Sequence, residues 1–127
     1  MTQLYQERTQ STPEVVADWD EGRLAMAGDS YPENSYEFFG EILAWVEQFV
    51  EQAGRPLHVE LRLAYLNTSS VRSMLDLFDL LQAAHGKGKE VTVEWIYDAR
   101  NERIAEIAEE FREDFTFPFT IRGEEVQ

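Results

Sequence analysis

Hydrophobic and polar residues follow two different periods along this chain. Residues 57–66 carry an apolar side chain at every second position, the pattern of a strand that is buried on one face. Residues 71–84 repeat apolar side chains at steps of three and four, which is typical of a helix with one buried face. Similar patterns predict further strands at about 13–18, 24–28, 91–98 and 115–122, and further helices at about 34–52 and 100–114.

Alternation also predicts which side chains of a strand face the core. The apolar positions of the strand over 57–66 are Leu57, Val59, Leu61, Leu63 and Tyr65. We expect all five to point inward. Trp95 and Tyr97 share the core-facing positions of their own strand, so we expect both to pack in the core.

The predicted order is β-β-α-β-α-β-α-β, a two-layer α/β domain with a mixed sheet. Three strands alternate cleanly, so one sheet face should be polar and all three helices should cover the other. Strands joined through helices should be parallel, and the first two should be antiparallel. Pro118 cannot donate to a strand ladder, which predicts a sheet edge for the last strand. Residues 1–12 are predicted to form a loose polar arm, and residues 13–127 a single domain.

The net charge of the chain indicates which classes of partner are disfavoured. The 127 residues include 25 acidic and 11 basic side chains, a formal net charge of -14. Such a surface repels phosphate backbones and anionic lipids, so binding to nucleic acid or to a membrane surface is disfavoured. A hydrophobic content of 43% nevertheless indicates a folded chain.

Catalytic and metal-binding motifs are not evident in this sequence. It contains no cysteine, and His58 and His85 are isolated from each other and from a serine nucleophile. No glycine-rich phosphate loop follows a strand. We therefore expect a protein that is not an enzyme and has no cofactor or metal. With no secretory signal or apolar segment of transmembrane length, a cytoplasmic location is expected.

Hydroxyl side chains concentrate where the strand over 57–66 gives way to the following helix. Asn67, Thr68, Ser69 and Ser70 occupy this junction. Helix N-termini carry unpaired N–H groups and a partial positive charge, so a phosphate there is stabilised and the segment is a candidate phosphorylation site. The same residue types are preferred helix caps, and local sequence alone favours that simpler role.

A second polar segment, residues 29–34, leads into the first helix. Asn34 or Ser35 could cap that helix, and turn chemistry accounts for much of the segment. Loops that leave the carboxyl ends of parallel strands gather at one sheet edge, which would bring this loop to the Thr68 junction. The residues that the two segments would bring together are Ser30, Tyr31, Pro32, Glu33, Asn34, Asn67, Thr68, Ser69, Ser70 and Arg72.

Five ordered blocks extend across nearly the whole chain. They are Ser11–Pro13, Gly28–Asn34, Tyr65–Ser70, Trp95–Asp98 and Glu109–Phe111. Together they resemble the SiaC family of bacterial regulatory phosphoproteins. The order of strands and helices is also similar to that of anti-sigma-factor antagonists, the STAS-like domains.

The resemblance implies a partner-switching protein. We expect its partner surface to combine the Thr68 junction with the adjacent Ser30–Asn34 loop. Family members are phosphorylated on the threonine of the Asn-Thr-Ser-Ser block, which corresponds to Thr68. It further implies a kinase related to anti-sigma-factor kinases, a PPM-type phosphatase that removes the phosphate, and a diguanylate cyclase that the unphosphorylated form binds and activates, with effects on cyclic di-GMP and biofilm formation.

Two alternatives remain open at this stage. The chain could be an anti-sigma-factor antagonist, although such proteins carry Asp-Ser-Ser-Gly where this one has Asn67-Thr68-Ser69-Ser70. It could also be a structural interaction domain in which Thr68 only caps a helix.

Overall fold

Six strands and three helices make up the described part of the chain. A computed structural model describes residues 3–125, and Met1, Thr2, Val126 and Gln127 lie outside the described residues. In chain order the elements are β1 (Leu4–Gln6), β2 (Glu14–Asp18), β3 (Arg23–Ser30), α1 (Ser35–Gln52), β4 (Leu57–Leu66), α2 (Thr68–Gly86), β5 (Val91–Asp98), α3 (Glu102–Glu113) and β6 (Phe119–Glu124).

The strands form one mixed sheet whose spatial order equals the chain order, β1-β2-β3-β4-β5-β6. β1, β2 and β3 pair antiparallel, whereas the neighbours from β3 to β6 pair parallel. The predicted mixed sheet, its antiparallel start and its helix-linked parallel strands are thus confirmed. The carboxyl ends of β3, β4 and β5 lie at the same edge of the sheet, which we call the carboxyl edge.

The helices cover one face of this sheet. The buried apolar residues of all three belong to a single cluster with the inward side chains of the strands. Phe78 of α2 is fully buried and has four phenylalanine rings around it, Phe111, Phe115, Phe117 and Phe119. Trp95 is also fully buried, as expected, while Tyr97 is half-buried against the core.

The opposite sheet face is polar and carries a chain of ion pairs. Arg23, Glu60 and Arg62 are linked across β3 and β4 at 2.9 and 3.3 Å. Arg62 also reaches Glu124 of β6 at 3.2 Å. The hydrogen bond from Arg23 is the main reason that the pKa of Glu60 lies below its usual value. The charges of this face therefore satisfy one another across the strands.

The prediction of a loose arm is wrong for residues 4–6. They form β1, which pairs with β2, and Leu4 packs partly buried against the core. Gln3 Oε1 accepts a hydrogen bond from the Trp19 N–H at 2.6 Å. A three-residue strand is too short to show a period, so the sheet gains a sixth strand that alternation did not predict.

The last strand begins later than predicted. It starts at Phe119 because Pro118 has no N–H to give to the ladder and the Thr116 N–H is bound by Gln82 Oε1 at 2.8 Å. The predicted edge position of this strand is confirmed. The phenylalanines at 115 and 117 still reach the core from the preceding loop.

The expectation that Tyr65 points inward is also wrong. Gly28 pairs with Leu63, but the next residue, Asp29, pairs with Tyr65, so β4 contains one extra residue, Ala64. This bulge reverses the alternation. Tyr65 is consequently 54% exposed and Leu66 is buried in its place.

Candidate functional site

The N-terminus of α2 is capped by Asn67. Its side-chain oxygen accepts a hydrogen bond from the Ser70 N–H at 2.9 Å, and its main-chain carbonyl accepts from the Val71 N–H at 3.0 Å. The Asn67 N–H in turn donates to the Ser30 carbonyl at 3.0 Å. Asn67 therefore meets the capping requirement of the helix. Thr68 is the first helical residue and its side chain is not the cap.

The three hydroxyls that follow Asn67 lie in very different surroundings. Ser70 is fully buried, and its hydroxyl shares a 2.8 Å hydrogen bond with that of Ser30, also fully buried. The Ser69 hydroxyl shares a 2.7 Å hydrogen bond with the Ser35 hydroxyl and donates to Asn67 Oδ1 at 3.2 Å. Both serines therefore use their hydroxyls to join α2 to the β3–α1 connection.

Thr68 differs from both serines. It is exposed, and within residues 3–125 its hydroxyl has no hydrogen-bond partner. Of the three hydroxyls, it is the one that an external molecule could reach without breaking a contact of the fold. The sequence alone did not distinguish Thr68 from Ser69 by local chemistry, whereas their surroundings do.

The loop over residues 31–34 adjoins this junction, as predicted. Asn34 caps α1 by accepting from the Glu37 N–H at 3.0 Å. Pro32 is buried, while Tyr31, Glu33 and Asn34 are exposed. The Tyr31 N–H donates to the Ser11 carbonyl at 2.8 Å, so the chain before β2 also holds this loop.

Several tyrosines at this end of the molecule are exposed. Tyr31 and Tyr65 meet edge to face with ring centroids 5.9 Å apart, although both are exposed. Tyr36, in the first turn of α1, is 88% exposed. Exposed tyrosines with apolar rings and polar tips are typical of protein-binding surfaces. Neither Tyr36 nor Tyr65 was a predicted site residue: no sequence pattern distinguishes Tyr36, and alternation places Tyr65 in the core.

The bulge that exposes Tyr65 is held by the start of α3. Asn101 caps α3 through the Ile104 N–H at 3.2 Å, and its side-chain amide donates to the Ala64 carbonyl at 3.0 Å. In the preceding turn, Arg100 forms hydrogen bonds with Asp98 that lower the pKa of this carboxyl to about 2. The carboxyl edge is therefore fixed by side-chain hydrogen bonds from several elements.

A groove between α2 and α3 continues from this edge. Two adjoining cavities of about 280 and 330 Å³ are each lined by both Thr68 and Arg103. Arg103 was not among the predicted site residues, since no sequence signal distinguishes it from Arg112, the other arginine of this acidic helix.

The predicted site residues thus separate into two groups. Tyr31, Glu33, Asn34, Thr68, Ser69 and Arg72 are exposed, and Asn67 is half-buried. Ser30, Pro32 and Ser70 are buried, so in this conformation they support the surface and cannot touch a partner. Arg72 lies one turn after Thr68 and pairs with Asp76 at 3.8 Å.

Fold and site together define a small α/β domain in which the exposed hydroxyl of Thr68 lies near exposed tyrosines. Within residues 3–125, no cluster of three or more histidine or carboxylate side chains could hold a metal ion. None of the three helices described is long and apolar enough to cross a membrane.

Comparison with known proteins identifies the family. A model of the SiaC family of regulatory phosphoproteins matches residues 6–124, and this chain belongs to that family. An uncharacterized protein of Pseudomonas aeruginosa strain UCBPP-PA14 is 57% identical over 123 residues, which cover 97% of this chain and 98% of that protein.

Solved structures agree with the fold. Apo-SiaC of Pseudomonas aeruginosa is 55% identical, with a TM-score of 0.93 over 97% of this chain and all of the other. A structure of the Pseudomonas aeruginosa diguanylate cyclase SiaD in complex with its activator SiaC matches with a TM-score of 0.92 and 57% identity, over 95% of this chain and 99% of the other.

Proposed function

We propose that this protein is a phosphorylation-controlled partner switch whose unphosphorylated form binds and activates a diguanylate cyclase. Phosphorylation of Thr68 by a kinase related to anti-sigma-factor kinases blocks this binding, and a PPM-type phosphatase restores it. The protein raises cyclic di-GMP through its partner and carries out no reaction itself.

The observation that supports Thr68 as the acceptor is that its neighbours Asn67, Ser69 and Ser70 use their side chains in hydrogen bonds within the fold. Asn67 provides the cap, so the structural alternative in which Thr68 serves as a cap loses its basis. Ser69 and Ser70 already use their hydroxyls within the fold. The Thr68 hydroxyl has no hydrogen-bond partner among residues 3–125, so a kinase acting on it breaks no such bond there.

The effect of the phosphate follows from its charge and size. It adds about -1.5 to -2 charges at neutral pH to a chain whose net charge is already -14. A partner that accepts a neutral hydroxyl must then desolvate a dianion. A penalty of ~3 kcal/mol weakens binding more than a hundredfold.

The proposed partner surface is the exposed part of the carboxyl edge. It combines Thr68 and Arg72 of α2 with Tyr31, Glu33 and Asn34 of the loop and with Tyr65 of β4. The Ser30–Ser70 and Ser35–Ser69 hydrogen bonds hold these segments in one arrangement, which lowers the conformational entropy lost on binding.

The choice of a diguanylate cyclase as partner rests on the family and on the related complex. There, SiaC is the activator of the cyclase SiaD. Family membership and 57% identity to that SiaC support the same class of partner for this chain.

Three forms of the protein test the proposal against the cognate cyclase. Thr68→Ala should bind and activate as wild type does, because it keeps a neutral small side chain at position 68. Thr68→Asp should bind at least tenfold more weakly, and the form with phosphothreonine at position 68 about a hundredfold more weakly. Binding is measured by calorimetry and activation by the rate of cyclic di-GMP formation.

Thr120→Asp is the matched control, since it adds the same charge to an exposed threonine on the open face of β6. It should bind the cyclase as wild type does. Unchanged binding by both Thr68→Asp and the phosphorylated form would refute the switch.

A further inference from the structure

Arg103 has no ion-pair partner in the part of this acidic chain that the structure describes. It is exposed at the first turn of α3 and lines both cavities that Thr68 lines. Within residues 3–125 no carboxylate lies within ion-pair distance of its guanidinium, although α3 carries five glutamates. By contrast, Arg112 on the same helix and Arg72 on α2 each have a carboxylate neighbour.

The charges around the groove are unevenly distributed. Glu110 and Asp114 line only the larger cavity, together with Thr68 and Arg103. The smaller cavity, between Thr68 and the end of β4, has Arg103 as its one charged lining residue among those described. An anion attached to Thr68 is therefore repelled by Glu110 and Asp114 in the larger cavity. It is attracted to the smaller cavity, where no carboxylate among the described lining residues opposes Arg103.

We propose that Arg103 binds the phosphate of phosphorylated Thr68 within the same chain. The inference rests on the proposed function in taking Thr68 as the acceptor, and it adds the residue that receives the modification. An arginine suits this role because its planar guanidinium can donate two parallel hydrogen bonds to phosphate oxygens.

This contact changes the surface as well as its charge. The phosphate would bridge the first turns of α2 and α3 and fill the opening of the groove between Leu66 and Ile107. Phosphorylation would then conceal Arg103 and part of the apolar lining, in addition to presenting negative charge. The unphosphorylated form leaves both accessible to a partner.

The titration of the phosphate itself provides the test. Phosphothreonine is incorporated at position 68 by genetic code expansion, so no kinase is needed, and its second pKa is followed by 31P NMR. We expect this pKa to rise by about half a unit in Arg103→Gln. An exposed ion pair between arginine and phosphate stabilises the dianion, and this stabilisation is lost when the guanidinium is removed. Arg103→Lys, which keeps the charge without the planar group, should show a smaller rise.

Arg112→Gln is the matched control, with the same substitution on the same helix and the same change in net charge. It should leave the phosphate pKa unchanged. Equal values in wild type, Arg103→Gln and Arg112→Gln would overturn the inference.

The two proposals fail separately. If phosphorylation weakens cyclase binding but Arg103→Gln leaves the phosphate pKa unchanged, the switch stands and the Arg103 contact is wrong. If the pKa depends on Arg103 but the phosphorylated protein binds the cyclase normally, the contact stands and the switch is wrong.

Discussion

The two ends of the parallel strands contrast sharply. At the end where β4 and β5 begin, which we call the amino edge, basic side chains donate hydrogen bonds to main-chain carbonyls. Arg55 Nε donates to the Trp19 carbonyl at 3.2 Å, and Lys89 Nζ donates to the Ala53 carbonyl at 3.2 Å. At the carboxyl edge, the buried Ser30–Ser70 hydroxyl pair is accompanied by the exposed Tyr31 and Tyr65 and by Thr68, whose hydroxyl has no hydrogen-bond partner among the described residues.

Aromatic residues at the two edges differ in the same way. Trp19 packs edge to face on Trp45 and Phe49, with ring centroids 5.8 and 5.1 Å away, and it is only 8% exposed. Tyr31 and Tyr65 make a similar edge-to-face contact but remain exposed. Aromatic contacts therefore stabilise the core at the amino edge, whereas at the carboxyl edge they leave tyrosine rings exposed to solvent.

The largest expected effect is on stability at the amino edge. Trp19→Ala removes a buried indole and both of its ring contacts, which should lower the free energy of unfolding by about 3–5 kcal/mol. Urea unfolding followed by circular dichroism measures it. The folded protein should still bind the cyclase with wild-type affinity, and a specific loss of affinity would break the proposed separation of the two edges.

A smaller effect is expected beneath the carboxyl edge. Ser70→Ala leaves the buried Ser30 hydroxyl without its partner, which should cost about 1–3 kcal/mol of stability. The double variant with Ser30→Ala should recover part of this loss, because neither hydroxyl is then left unpaired. Purely additive losses in a double-mutant cycle would show that the pair contributes no coupling.

The smallest effect concerns the exposed tyrosines. Tyr65→Ala should weaken cyclase binding about tenfold, or ~1.4 kcal/mol, with little change in stability. Tyr5→Ala is the matched control. Tyr5 is 60% exposed and lies on the outermost strand β1, which is three strands away from the β4 strand that carries Tyr65. If the two variants weaken binding equally, the partner surface is not centred on the carboxyl edge.

The sequence predicts the parts of this molecule that repeat with a period. The five longer strands and the three helices follow from apolar spacing, and Asn34 was recognisable as a cap. Three-residue β1 has no such period. The Ser30–Ser70 and Ser35–Ser69 pairs join residues 40 and 34 positions apart, and nothing in their local sequences specifies these partners.

The site shows the same division between local and distant information. The resemblance to the SiaC family pointed to Thr68, whereas local chemistry left three hydroxyls equivalent. Only their tertiary surroundings separate them. Arg103 and Tyr65 were missed because one depends on how α3 packs beside α2 and the other on a single bulge residue.

That bulge residue, Ala64, makes the length of β4 a constraint on the evolution of the proposed switch segment. Removing it would slide Leu66, Asn67 and the start of α2 back by one position against β3, and would separate Ser70 from Ser30. Surface side chains around Thr68 can be exchanged as partners diverge, but insertions and deletions in the last residues of β4 cannot. Relatives that keep the switch should therefore vary in composition here while conserving length.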